Sequence, residues 1–590
     1  MADNRSFEST LHDFVYSIDT GTGLKIIRVS LYVLLVLVVV MVYTATQFRG
    51  LKTEEAMDYA QLGRNFSFQN GMVTKYVRPL SMWKMASLSE AEDPRITDHP
   101  DLFHPPAYPA LLSSLYRLFD LIGVDAFTID EGGGDISMHA EQWIILPINH
   151  IFAMLTGLFV FLLGKRLFSR EIGLLGTTIY FLSDLVWRDA ISGLNITMAV
   201  FFVVGAFHFM VVAMLNKRDG DRRSAWITPY LFSILFAALA FLTRYITIAI
   251  LPGLCLFTWL MGGVFRGGTR LTVIFILLYV LMITPWLVRN HRVCGNALGM
   301  AGYSALYESP EYPGNSLERD LTPEVTLSDS MDTIKEKWVL NYSGRNQAAI
   351  PMMGGGIIMA FFLVTFFYHF IRPQVNCLRW GIGISLLLTV GIAGFFSDSS
   401  ISMIHAFWPF VILYALSFFF ILVDRLDLGV NLYNTGLKVL IVALGAIPLV
   451  LTLMPPHEKQ MLRPYYVPAI ARVSGMLTPR EIMCSDMPWA TAWYGDRVSV
   501  LLPQNIEQFY TINDEMQFIS GLYITTLTKD QPLLSALLDG PDQSWLQIMN
   551  GRTPVDFPLK QGTSVLGQDQ IFLSDRNRWQ TGAADSGDNR

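Results

Sequence analysis

The chain has 590 residues, 52% of them hydrophobic and only 16% charged, with a net charge of −6. Soluble domains carry about 25% charged residues, so this composition belongs to a membrane protein. No basic stripe is available to neutralise a phosphate backbone, which excludes nucleic acid as a partner.

The N-terminal segment, 1–24, is polar, lacks the layout of a cleavable signal peptide and is expected to stay cytoplasmic. A spanning helix needs about 20 mostly apolar residues. Such runs occur near 27–47, 143–164, 172–188, 195–215, 226–243, 246–263, 271–288, 352–371, 380–396, 401–423 and 438–454, giving eleven expected crossings within a transmembrane domain at 25–454. A further run, Pro105 to Val124, opens with Pro105, Pro106 and Pro109 and is interrupted by Arg117 and Asp120. If it crossed, the basic run NKRDGDRR at 216–223 would move outside, against the positive-inside rule. It is therefore expected to be an interfacial helix. The basic clusters Lys25/Arg28, Lys165/Arg166/Arg170, Lys217/Arg218/Arg222/Arg223, Arg266/Arg270, Arg372/Arg379 and Arg425/Lys438 then share the inner side.

Three large pieces follow on the outside: a loop at 48–142, a second loop at 289–351, and a tail. The tail reads as a small extracytoplasmic α/β domain at 455–578. Its strands are expected at Glu481–Ser485, Arg497–Leu502 and Leu522–Leu527, and its helices within Asn505–Ser520 and Gln531–Leu538. The last residues, 579–590, have the composition of a disordered tail. The fold class predicted is thus a mostly α polytopic membrane protein with a small C-terminal α/β domain. Cys255 and Cys377 fall in or beside apolar runs, whereas Cys294 and Cys484 both fall outside, where a disulfide between them is a candidate.

The outside segments carry the chemistry. Thr53-Glu54-Glu55-Ala56-Met57-Asp58-Tyr59 holds three carboxylates within five residues, and in a helix Glu54, Glu55 and Asp58 share one face. Spacing alone fits a solvated helix start equally well. Downstream come Arg64-Asn65, the run Thr74 to Leu80 with Arg78, and His99-Pro100-Asp101-Leu102-Phe103-His104-Pro105-Pro106. Shorter external stretches hold Arg188-Asp189, Arg244-Tyr245 and Asp398, and the second large loop opens at Pro285-Trp286 with Arg289 and Arg292. Outside arginines do not follow from topology; their planar forks suit a lipid phosphate. Competing readings are an Arg188–Asp189 pair, snorkelling by Arg244 and helix anchoring by Arg289 or Arg292. No HExxH, GxSxG, Walker or GxGxxG pattern in its proper context is present.

DYAQLGRN after the first membrane helix, HPPAYP at the interfacial run, FLTRY and TPWLVRN together resemble the membrane glycosyltransferases of the GT-C superfamily. Among these, bacterial relatives of the protein O-mannosyltransferases and the lipid A aminoarabinose transferases are most similar. The resemblance covers roughly residues 25–455. It implies an inverting transfer from a polyprenyl-phosphate-linked sugar to an acceptor hydroxyl, at the outer face of a bacterial inner membrane, with membrane lipids as partners and with neither cofactor nor metal. An acidic residue early in the first external loop is catalytic in the family. An Asp-Glu-x-x-Tyr-Ala pattern places it on Glu55, and an Ala-Met-Asp-x-Ala-Gln pattern places it on Asp58. Asp58 is preferred, with Glu55 the alternative. Tyr59, Arg64, Arg78, His104, Arg244 and Arg289 are the candidate substrate or phosphate contacts; His104 and Arg244 stand where aminoarabinose transferases have lysines. Asn195 departs from the family's acidic residue at the outer start of the fourth helix. The sugar and the acceptor class stay open. A non-catalytic scaffold of a cell-envelope assembly is the alternative, and a transporter fits poorly because the charges gather at the ends of the crossings.

Overall fold

A computed structural model describes residues 22–68, 71–87, 96–129, 137–263, 267–325, 330–343, 356–396, 402–426, 431–455, 466–527, 538, 541–565 and 570–579. The N-terminal segment, Asp398, the predicted helix Gln531–Leu538 apart from Leu538, and the predicted tail from residue 580 lie outside the described residues.

Among the described residues, nine helices are long and apolar enough to cross a membrane: Gly23–Gln47, Glu141–Leu167, Ile196–Arg218, Arg223–Thr243, Tyr245–Gly262, Gly268–Cys294, Pro373–Ala393, Ser402–Arg425 and Thr435–Leu453. The protein is a multi-pass membrane protein. Two of the eleven expected crossings differ. The run at 172–188 divides into Arg170–Phe181 and Asp184–Ile191, with Ser183 extended between them. The Trp187 indole N–H donates to the Phe181 carbonyl at 2.8 Å, satisfying a helix-end acceptor inside the break. The run at 352–371 yields only the shorter apolar helix Ile357–Phe367. Conversely, the helix expected to stop near 288 runs on to Cys294 and is closed by Gly295 at φ 75°. Arg289 and Asn290 therefore ride on a helix instead of opening a loop.

Lipid tails provide no hydrophobic drive between helices, so close packing decides which helices sit centrally. Ile196–Arg218 is 83% buried over its apolar window, whereas Gly23–Gln47 is 11% buried and turns Leu31, Leu34, Leu35 and Val38 outward. Gly253 and Gly381 bring the helices Ile250–Gly262 and Pro373–Ala393 together. A Cβ on Gly381 would stand 2.7 Å from the Gly253 carbonyl, and one on Gly253 would collide with Ser385 Oγ and the Gly381 carbonyl.

The run Pro105–Val124 forms a helix over Ala107–Leu121, 15 residues, too short to cross. It packs Tyr108, Leu112 and Tyr116 inward, against the helix Glu54–Phe68, and Gly63 permits the approach because a Cβ there would meet Leu112 Cβ at 2.7 Å. Arg117 donates to the carbonyls of Ser67 and Phe66 in the last turn of that helix.

Eight strands are present among the described residues. β1 (Val73–Thr74) pairs antiparallel with β3 (His99–Pro100). The other six are β2 (Tyr76–Val77), β4 (Ile482–Ser485), β5 (Ser499–Leu501), β6 (Ile519–Ile524), β7 (Gln561–Val565) and β8 (Gln570–Ser574). They form one sheet in the order β2-β5-β4-β6-β8-β7, parallel from β2 to β6 and antiparallel beyond. The helices Pro488–Gly495 and Ile506–Thr511 make the crossovers, so the expected helix Asn505–Ser520 is cut short where β6 begins. The edge strand β2 comes from the first long loop, hundreds of residues away, and its register with β5 is Tyr76↔Ser499 and Val77↔Val500. The second long loop also binds this sheet: Arg319 donates to the carbonyls of Leu502 at 2.7 Å and Pro503 at 2.8 Å.

The candidate disulfide does not form. All four cysteines are free, and Cys294 and Cys484 lie in two different hydrophobic clusters, the first among Leu80, Leu102 and Met300, the second within β4. In Gly253→Val the backbone–backbone approach cannot be relieved by a side-chain rotation, so a loss of about 1–3 kcal/mol is expected, read as a lower thermal unfolding midpoint in detergent.

Candidate active site

The helix Glu54–Phe68 leads off four residues after Gly50, whose φ is 92°. Its first turns hold Glu54, Glu55, Asp58, Tyr59 and Gln61, and the acids at its start favour the helix dipole. Asp58 is fully buried. One carboxylate oxygen accepts from Gln61 Nε2 at 2.8 Å, and the other from Arg78 Nη2 at 2.9 Å with His104 Nε2 at 3.6 Å.

Arg78 follows β2 directly, so sheet pairing sets where its backbone leaves. Its guanidinium lies 3.7 Å from the Tyr76 ring centroid and 4.3 Å from that of Phe103. Besides Asp58, it faces Glu318 Oε1 at 3.2 Å and Glu54 Oε1 at 3.6 Å. The Tyr76 hydroxyl donates to Glu54 at 2.8 Å. Glu54 itself keeps 37% of its side chain accessible. Burial and the Glu318 carboxylate raise the Glu54 pKa, and burial likewise raises that of Glu318.

On the other side of Asp58, His104 is fixed by Asp101. Its Nδ1 lies 3.1 Å from Asp101 Oδ1, and its backbone N–H donates to Oδ2 at 2.9 Å. Burial pulls the His104 pKa down, but the carboxylates of Asp58 and Asp101 outweigh it and lift it to about 9. Burial would raise Asp101, and the facing His104 overrides it and lowers it. The Tyr59 ring stands edge-on to His104, with centroids 4.6 Å apart.

Glu55 points to a second cation. Arg244 grips it with both terminal nitrogens, Nη1 to Oε1 at 3.1 Å and Nη2 to Oε2 at 3.4 Å. Glu55 keeps 24% of its side-chain exposure, against none for Asp58. Asn195, at the start of the helix Ile196–Arg218, ties this pair to the first: its oxygen accepts from Arg244 at 2.6 Å, and its amide donates to Tyr59 Oη at 2.9 Å. Arg289 donates to the Asp101 carbonyl at 2.6 Å and thereby borders the His104 loop.

Of the residues singled out in the sequence, Glu55, Asp58, Tyr59, Arg78, His104 and Arg244 thus form one connected network, with Arg289 beside it. Arg64 does not join. It turns to the tail, 3.5 Å from Asp496 and 4.2 Å from the Phe127 ring centroid. Arg188 pairs with Asp184, not Asp189, and Asp189 meets His405 at 2.9 Å. Arg292 is exposed. Gln61, Asp101 and Glu318 were not singled out. Gln61 and Asp101 each stand three residues from a chosen residue, a spacing that could have found them. Glu318 has no such signal, being 240 residues from its partner Arg78.

No protein-family model matches the chain, and no curated protein matches it significantly by sequence. Solved structures do match by fold. ArnT from Cupriavidus metallidurans in the apo state superposes with a TM-score of 0.53 at 12% identity, over 93% of this chain and 98% of that one. The Archaeoglobus fulgidus oligosaccharyltransferase in the apo form gives 0.54 at 10% identity, over 84% of this chain and 69% of that one. The same protein tethered to an acceptor peptide containing the NVT sequon gives 0.52 at 12% identity, with the same coverage. At such identities the likeness is one of fold alone, and the chain has a GT-C-like fold.

Proposed function

We propose that this protein is an inverting glycosyltransferase that moves a sugar from a polyprenyl-phosphate-linked donor to an acceptor hydroxyl, at the outer face of a bacterial inner membrane, with the N-terminus cytoplasmic and the tail domain periplasmic. The observation that carries this reading is a set of carboxylates and cations on one face of Glu54–Phe68, at the ends of membrane helices. Arg244 stands between Arg223–Thr243 and Tyr245–Gly262, and Arg289 on the last turns of Gly268–Cys294. A carboxylate there can take the proton of an attacking hydroxyl. Arg244, His104 and Arg289 can stabilise a departing lipid phosphate, which needs positive charge and no proton at neutral pH.

Between the two candidate bases, accessibility favours Glu55. Asp58 has no exposed surface and spends its oxygens on Gln61, Arg78 and His104. Its role is to fix two cations, while Glu55 retains surface that an acceptor can reach. As the base Glu55 removes the acceptor proton while the hydroxyl oxygen bonds to the anomeric carbon, and the bond from that carbon to the phosphate oxygen breaks with its electron pair on the phosphate. One displacement of this kind inverts the centre.

Glu55→Gln is expected to lower kcat about 100-fold or more, measured as release of polyprenyl phosphate from a panel of polyprenyl-phosphate-linked sugars in nanodiscs, with a modest drop in the unfolding midpoint because the buried Arg244 keeps the Asn195 oxygen but loses its carboxylate. Asp58→Asn is expected to reduce activity and also to lower the midpoint, because it strands a buried guanidinium. Native stability and full loss of activity in Asp58→Asn, with an active Glu55→Gln, would move the base to Asp58. Wild-type turnover in both variants would take the base away from Glu55 and Asp58, and no turnover of any donor by the wild-type protein would sink the enzyme reading and leave a lipid-binding scaffold.

The raised His104 pKa sets a pH dependence. A histidine near 9 in the fold and near 6.5 unfolded contributes stability that is complete below about 6.5 and lost as pH rises through about 9. Polyprenyl phosphate should bind more weakly as pH rises through about 9, where the folded-state imidazolium loses its proton, and His104→Gln should flatten both curves. An unchanged pH profile in His104→Gln would remove the imidazolium from the site.

A further inference from the structure

Asp496 lies outside the network around Asp58, yet it holds both segments that build it. It caps the helix Pro488–Gly495 in the left-handed region, φ 53° and ψ 38°. Each carboxylate oxygen takes one cation from the first long loop: Oδ1 meets Lys75 Nζ at 2.6 Å, and Oδ2 meets Arg64 Nη2 at 3.5 Å. Arg64 is on the same helix as Glu55 and Asp58, two turns below them. Lys75 immediately precedes β2 and Arg78 immediately follows it, and the Lys75 carbonyl accepts from Ser499 N at 2.7 Å. The Lys75 backbone N–H also donates to Gln61 Oε1, and the same Gln61 holds Asp58. Both lysine and arginine are more than four-fifths buried, so these pairs are shielded compared with open surface pairs.

We propose that Asp496 is a positioning residue for the reaction: a tail-domain carboxylate that sets the distance between the Arg78 strand and the Glu55/Asp58 helix. The inference rests on the glycosyltransferase reading above. It makes the tail domain part of the catalytic apparatus and gives its left-handed turn a purpose. An L-residue with a side chain pays strain at φ 53°, and glycine would fit there freely. A turn needed only for chain reversal gains by Asp496→Gly; a turn that aims a carboxylate does not.

The test compares Asp496→Gly with Glu55→Gln and Arg78→Ala in the donor-turnover assay. In Asp496→Gly an unchanged or raised unfolding midpoint is expected together with a kcat lowered about tenfold and a donor KM within about twofold of wild type. Asp496→Asn, which keeps the left-handed turn and removes the charge, should show the same kcat loss, and Asp496→Glu should recover part of it. Should Asp496→Gly fail to fold, Asp496→Asn still decides the matter, and wild-type kcat in it overturns the proposal. Wild-type kcat in Asp496→Gly, with Glu55→Gln and Arg78→Ala inactive, overturns the positioning role alone. Wild-type kcat in all three overturns the residue roles assigned to the site along with it, and no donor turnover by the wild-type protein overturns the glycosyltransferase reading itself.

Discussion

The buried guanidinium of Arg78 is the constraint to which much else answers. Removing a cation from water costs several kcal/mol unless carboxylates and aromatic faces replace the lost hydration. Here the replacement comes from separate parts of the chain. Glu54 and Asp58 come from the first helix after a membrane crossing, Glu318 from the second long loop, and the rings of Tyr76 and Phe103 close two sides. A pair of this kind is weak evidence for stability. It is good evidence for specificity of arrangement, because any one segment leaving strands a charge.

The same economy runs through the second cation. Arg244 sits between two membrane helices and is met by Glu55 and Asn195, so the site helix is gripped from the membrane side as well as from the tail side. Asn195 joins the two halves through Tyr59. A neutral amide can donate to one group and accept from another; an acid at that position would supply only acceptors. The departure from the family pattern at Asn195 therefore has a local physical account.

The tail sheet shows why loops and domain could not be treated apart. β2 contributes only Tyr76 and Val77, yet it completes the edge of a sheet whose other strands lie beyond residue 480. Two residues are too short a run to register as a strand by alternation, and the pairing depends on a partner far away in sequence. Glu318 was hidden for the same reason: nothing near it in the chain marks it, and only the approach of its loop to Arg78 gives it meaning.

The sequence by itself determined the class of the fold and named most of the side chains that meet at the candidate site. Hydropathy reports the transfer free energy of each segment into lipid, a local property, so the long apolar helices were legible. Helical spacing, also local, put Glu54, Glu55 and Asp58 together, and the prolines and charges of 105–124 marked a helix that does not cross. Local pattern could not say that 172–188 breaks at Ser183, since the break is stabilised by the Trp187 and Tyr43 hydrogen bonds to Phe181 and Asp184. Nor could spacing separate Glu55 from Asp58, and the family resemblance preferred Asp58, the residue that packing encloses. Their spacing from neighbours is equivalent, and only the packing of Arg78, Gln61 and His104 around Asp58 leaves Glu55 the one with open surface. That choice belongs to tertiary structure because burial is a property of what surrounds a residue in space.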